Sequence, residues 1–198
     1  MDVIHNNPIC KAAYELAKAN LSEPIFNHSV RVYLYARTLS PVESTNLFVA
    51  CILHDIGCSE DLCNGHHSEH NDAQRFEVEG ADAAVQFLRG HSVSETDCQD
   101  VWIAIALHTT PGIAERITPL ANIVRQAVLI DFHSSATPVD SNIEERWPRL
   151  NIEKVLGDQV VQGCKSNPTK RAPANSWPGS LYRSYLQNLE WEGANKAF

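Results

Sequence analysis

His54 and Asp55 stand side by side in the run ILHDIG, behind the apolar residues Val49, Ala50, Cys51, Ile52 and Leu53. Imidazole and carboxylate are both metal-binding groups. Neighbours on a helix diverge by about 100°, yet both reach one ion if the helix end points at it. A polar pair at the end of a buried helix needs partners, because an uncompensated buried polar group costs roughly 2–7 kcal/mol. His28 lies in FNHSVRVY among apolar positions, and Asp131 follows the apolar run Ala127, Val128, Leu129, Ile130. Singly, each has an ordinary explanation: a hydrogen-bonded core histidine, a buried cap, a salt-bridged pair. Together they are four groups that one divalent cation compensates at once. Two neutral imidazoles and two carboxylates leave such a site neutral, and zinc, manganese and ferrous iron all fit that nitrogen–oxygen set.

The elements that must bring these residues together are helices. Asn7 and Pro8 read as an N-cap and first-turn proline for a helix to about Ala19. Glu23 and Pro24 open a second through Leu39, and Pro41 and Ser44 a third that carries His54 and Asp55, with Gly57 as its stop. Residues 58–73 are polar and irregular. A fourth helix spans roughly Phe76 to Leu88 and ends at Gly90, and Ser94 with Asp97 resembles a capping box for a fifth through His108. Pro111 and Gly112 break it. A sixth runs from about Thr118 to His133, another from Ile152 to Cys164, and a last from Leu181 to Leu189, after a loop over 165–180. Sustained strand alternation and internal repeats are absent. The expectation is an all-α single domain over residues 1–198, with a core over about 10–165 and residues 166–190 packed on it.

Composition narrows the partners. At 198 residues the chain is long enough to bury a core without disulfides. The net charge of −8 and the lack of basic clusters argue against nucleic acid or an anionic membrane. No apolar run is long enough to span a bilayer, and the first residues lack the basic-then-apolar pattern of a secretory signal. The six cysteines are scattered without a CxxC pair and read as reduced thiols, so a cytoplasmic location is expected.

The order His28, then His54-Asp55, then Asp131 on separate helices resembles the HD-domain metalloenzymes. Longer stretches, EPIFNHSVRVYLYA, CILHDIG, RFEVEGADAA, IALHTTPGIAER and ERWPRLN, resemble the cyanamide hydratase-like branch of that superfamily over roughly residues 10–185. The resemblance implies an all-α helical bundle. It implies one zinc, with Fe2+ or Mn2+ as alternatives, held between helices by His28, His54, Asp55 and Asp131. It also implies a hydratase that adds water to the nitrile of a small uncharged molecule, cyanamide giving urea, and a homodimer. The superfamily also contains phosphohydrolases and oxygenases with two irons, and a non-catalytic metal-binding protein would keep the same fold.

Nitrile hydration needs a nucleophilic water, an activated carbon and a proton for the nitrogen. Glu77 is the first acid–base candidate, at the place where two-metal HD phosphohydrolases carry another histidine, with Glu79 behind it. His108, at the end of an apolar helix, is the second; it would bond substrate or serve a second ion. Thr109 and Thr110 are candidate donors to substrate, and Asn27 would line the pocket or orient a ligand. Arg31, one turn after His28, is expected to pair with a carboxylate beside the metal rather than touch substrate. His133 is expected to face away from Asp131. The cluster His66, His67 and His70 is read chiefly as an exposed loop, and Lys165, Asn175 and Trp177 as a candidate lid. HTTPGIAER and RAPANSWPG depart from the characterised hydratases, which puts the substrate in question rather than the metal.

Overall fold

A computed structural model describes residues 7–40, 44–59, 73–133, 135, 137 and 140–188. The helices are α1 (Pro8–Asn20), α2 (Glu23–Leu39), α3 (Thr45–Leu53), a 3-10 turn (Ile56–Cys58), α4 (Phe76–Gly90), α5 (Glu95–Leu107), α6 (Ala114–Ile117), α7 (Pro119–Asp131), α8 (Ser141–Arg146), α9 (Ile152–Ser166), α10 (Pro168–Arg171) and α11 (Trp177–Gln187). No strand occurs among the described residues, so the fold is all-α. None of these helices is long and apolar enough to cross a membrane.

Local chemistry sets most helix starts. Asn7 accepts from Ile9 N at 2.8 Å with Pro8 in the first turn. Ser44, Ser94 and Thr118 accept from the backbone three residues on, each satisfying one amide that the helix leaves open. At α5 the expected capping box is modified. Asp97 accepts from the Ser94 hydroxyl at 2.6 Å and from Asn46 Nδ2 at 2.6 Å, tying α5 to α3.

The buried sides of α2, α3, α5 and α7 form the core, with Phe48, Ile52, Leu53, Ile105 and Ile130 fully enclosed. Helix α7 packs on α2, and α4 packs on both α5 and the 3-10 turn. Helix α11 packs on α9 and contributes Trp177 and Leu181 to the same apolar cluster. Among the described residues Cys10, Cys51, Cys58, Cys98 and Cys164 are buried and form no disulfide.

Four expectations change. Helix α3 ends at Leu53, so His54 is its C-cap and Asp55 precedes the 3-10 turn. Gly57 lies inside that turn and does not stop α3. A Cβ there would sit 1.9 Å from Phe76 O and 2.8 Å from Gly80 N. Glycine is required because the backbone of α4 passes directly over the turn. The sixth expected helix ends at Asp131, two residues early, and His133 has a left-handed φ of 56°. The stretch 165–180 holds the end of α9, all of α10 and the start of α11, because Ser176 caps Gly179 N and Pro178 suits a first turn. Pro41, the cluster His66, His67 and His70, and Leu189 lie outside the described residues.

Candidate metal centre

His54 and His108 use the same local device. Each is the C-cap of an apolar helix, and each ring turns its Nδ1 to the carbonyl three residues back: Cys51 O at 2.8 Å and Ile105 O at 2.6 Å. Carbonyls at a helix end lack an intrahelical donor. An imidazole facing one must carry its proton on Nδ1. His28 reaches the same tautomer differently, with Nδ1 at 2.7 Å from Asp131 Oδ2. With Nδ1 so engaged in each ring, Nε2 is the nitrogen left to bind a metal.

Those nitrogens converge. His28 Nε2 and His54 Nε2 lie 3.1 Å apart, and Asp55 Oδ2 is 3.6 Å and 3.2 Å from them. Neither Asp55 oxygen has a hydrogen-bond partner among the described residues, and all three residues are fully buried. Three lone pairs facing one point repel one another unless a cation or a proton sits among them. The donor set, two imidazole nitrogens and one carboxylate, is one that zinc, manganese and ferrous iron accept. On the other side of the same carboxylate, His108 Nε2 lies 3.4 Å from Asp55 Oδ1.

The electrostatics differ among the three groups. Burial pushes the His28 imidazole toward its neutral form despite the opposing pull of Asp131. At His54 burial acts in the same direction, but the Asp55 carboxylate outweighs it and the pKa is raised. Burial opposes ionisation of Asp55, yet His54 and His108 hold its carboxyl well below the usual range.

Asp131 is placed behind His28 rather than with the three converging atoms. Burial opposes its ionisation, but His28 and Arg31 hold its pKa down. Arg31 Nε donates to Oδ1 at 2.6 Å and Nη2 to Oδ2 at 2.9 Å, the bidentate geometry of a strong pair. Arg31 Nη1 binds Trp147 O and Pro148 O, so the pair also anchors the ERWPRLN segment. Arg149 adds a bond to the Asp131 carbonyl at 2.6 Å.

Glu77 is fully buried on the first turn of α4. Its Oε1 accepts from Thr109 Oγ at 2.6 Å, while its Oε2 is buried without a partner among the described residues. Burial raises its pKa, against the opposing pull of Arg75 and His108. Glu79 is tied to Arg171 instead. Asn27 spends its Nδ2 on Pro148 O at 3.1 Å, a structural tie rather than the pocket contact expected of it. Thr110 is only half-buried. His133 is exposed and pairs with Glu144. Of the candidate lid, Lys165 sits over the Tyr185 ring and Asn175 is exposed, while Trp177 packs edge-on against Phe76.

The family model described as HD domain matches residues 25–127. The chain belongs to the HD-domain family. The match contains His28, His54, Asp55, Glu77 and His108, and Asp131 falls just beyond it. No curated protein matches this HD-domain chain. The family and the His28, His54 and Asp55 cluster together make it a metal-dependent HD-type enzyme.

Two residues that contact His108 carried no sequence signal. Arg125 on α7 donates to His108 O at 3.2 Å, and the Phe76 ring packs edge-on against His108 with centroids 5.7 Å apart. Both look like ordinary amphipathic-helix residues until packing assigns their neighbours.

Proposed function

We propose that this HD-domain protein is a zinc-dependent hydratase that adds water across the nitrile of a small uncharged molecule, with cyanamide to urea as the specific reaction. The observation that carries this reading is the buried Glu77–Thr109 pair, one carboxyl oxygen unpartnered among the described residues, with Thr109 next in the chain to His108, whose Nε2 lies 3.4 Å from Asp55 Oδ1. His28, His54 and Asp55 would hold a divalent ion, which would lower the pKa of a water there to about 7 and so supply the nucleophile at neutral pH. Asp131 keeps His28 in the tautomer that binds it.

The chain's own residues do the proton work. Water adds as hydroxyl to the nitrile carbon and as a proton to the nitrile nitrogen. Glu77, whose raised pKa favours the protonated form, donates that proton from Oε2 and recovers it from the incoming water. Thr109 orients Glu77 by donating to Oε1. The product imidic acid then rearranges to the amide, which is urea when the substrate is cyanamide.

The preference for an uncharged substrate follows from where the arginines go. Arg31 is committed to Asp131 and two carbonyls. Arg116 donates to Gly112 O on the surface. Residues 60–72 contain neither Lys nor Arg. Arg125 is spent on His108 O and Glu115, so a phosphoester would depend on Arg75, which donates to Ala106 O at 3.4 Å. A second reading, a dinuclear oxygenase, is favoured by the way Asp55 divides its oxygens, with Oδ1 toward His108 and Oδ2 toward His28 and His54.

Metal analysis of the purified protein and a screen of nitriles and phosphoesters test these readings. One zinc per chain and urea from cyanamide support the hydratase. Two irons per chain, or turnover of a nucleoside monophosphate without nitrile hydration, overturns it.

A further inference from the structure

Helix α4 begins without the side-chain cap seen at α1, α3, α5 and α7. Its N-cap residue is Arg75, whose side chain makes no capping bond. An uncapped first turn frays unless tertiary contacts hold it, and this turn carries Glu77. The contacts that hold it come from the C-terminal segment. Arg171, buried on α10, donates Nη1 to Glu79 Oε2 at 3.0 Å and lies with Nη2 at 2.8 Å from Oε1. Glu79 Oε1 also accepts from Gln74 N at 3.0 Å. One carboxylate therefore closes the helix entry and joins it to α10. Trp177 grips the same turn by packing edge-on against Phe76, centroids 5.8 Å apart, and Phe76 in turn packs against His108. The grip is rigid at its base. A Cβ on Gly179 would lie 2.0 Å from Pro173 O, so α11 starts hard against the turn before it. Gln159 on α9 donates to Cys58 O at 2.6 Å, fastening the same C-terminal unit to the 3-10 turn beneath α4.

We propose that Arg171 is a positioning residue for Glu77, a latch that holds the first turn of α4 against residues 168–181 by clamping Glu79. The inference rests on the acid–base role of Glu77 given above. Glu79 is two residues from Glu77, so release of the latch displaces the Oε2 that handles the proton. A displacement of about 1 Å costs on the order of 10²-fold in rate.

The test compares wild type with Arg171→Met, Arg171→Lys and the double variant Glu79→Gln/Arg171→Met. The double variant removes the latch without leaving a buried carboxylate unpaired. Amide hydrogen exchange is read at residues 76–80 and, as a control, at 45–53 and 119–131. Steady-state kinetics with cyanamide and metal content are read on the same preparations. The expected result in the double variant is faster exchange at 76–80 by about tenfold or more, with the control segments unchanged. Its kcat falls about 10- to 100-fold while KM and zinc content hold, and Arg171→Lys recovers part of the loss. Unchanged exchange at 76–80, exchange raised throughout the molecule, or a loosened turn with an unchanged kcat overturns the latch. Wild-type protein that hydrates no nitrile overturns the hydratase reading instead, and the exchange data then decide the latch by themselves.

Discussion

Asp131 Oδ2 lies 2.7 Å from His28 Nδ1, across the imidazole from the Nε2 that faces His54. The carboxylate thus sets the tautomer of a metal-binding ring instead of joining the converging atoms. Removing such an outer partner costs roughly 10- to 100-fold in metal affinity. Asp131→Asn should therefore keep zinc at stoichiometric loading but weaken it by about that factor. His54→Ala should abolish binding. Competition titration with a chromogenic chelator distinguishes the two, and equal loss in both variants contradicts the arrangement.

Arg31 is fully buried and is the counter-charge for Asp131. Truncating one partner of a buried ion pair costs about 3–5 kcal/mol, because the other charge stays behind unpaired. Arg31→Met should lower stability by that amount in urea unfolding. Arg31→Lys should lose less, since it keeps the charge but not the two-pronged geometry.

Glu77→Gln should lower the hydration rate by about 10²- to 10⁴-fold with zinc content unchanged. Stability should move the other way. The folded pKa of Glu77 is raised above its ordinary 4.5 by burial. Between those two values the folded chain holds a proton that the unfolded chain has released, so stability falls as pH rises through that window. Glutamine removes this penalty. Metal-free Glu77→Gln should be more stable than wild type above the window and converge with it below about pH 4.5, as read by urea unfolding across pH.

The close approach of Gly57 to α4 gives a purely steric prediction. Gly57→Ala drives a methyl group into Phe76 O, and overpacking of this kind costs about 1–3 kcal/mol or more. Gly90→Ala, where no atom lies within 4 Å of the added carbon, should be neutral or slightly stabilising. Thermal melts of the two variants give the comparison.

Much of this was legible in the chain. Helix starts at Asn7, Ser44, Ser94 and Thr118 depend on a side chain bonding the backbone two or three residues on, so local sequence contains the whole interaction. The apolar periodicity of α2, α3, α5 and α7 marked an all-α core for the same reason. His54 and His108 stood out as polar residues ending apolar helices, and the carbonyl that sets each tautomer is only three residues back. The partnership of Arg31 with a carboxylate beside the metal was also expected, although which carboxylate was not.

The rest was decided by packing between distant segments. His28 and Asp131 are 103 residues apart, and their bond depends on how α2 and α7 rotate about their axes. Residue type, the apolar run before it and the family resemblance made Asp131 an expected metal ligand; the crossing of those helices sets its Oδ2 against His28 Nδ1. Residue type and resemblance made Glu77 an acid–base candidate, but its burial beside Thr109 depends on the Gly57–Gly80 contact that lowers α4 onto the 3-10 turn. Arg171 and Glu79, 92 residues apart, share no pattern that local periodicity reveals. Local hydrogen bonds and apolar spacing thus determine which residues are helical and which polar groups need partners. The choice of partner belongs to the tertiary structure, because it turns on helix rotations and backbone approaches of an ångström or two that no short stretch of sequence encodes.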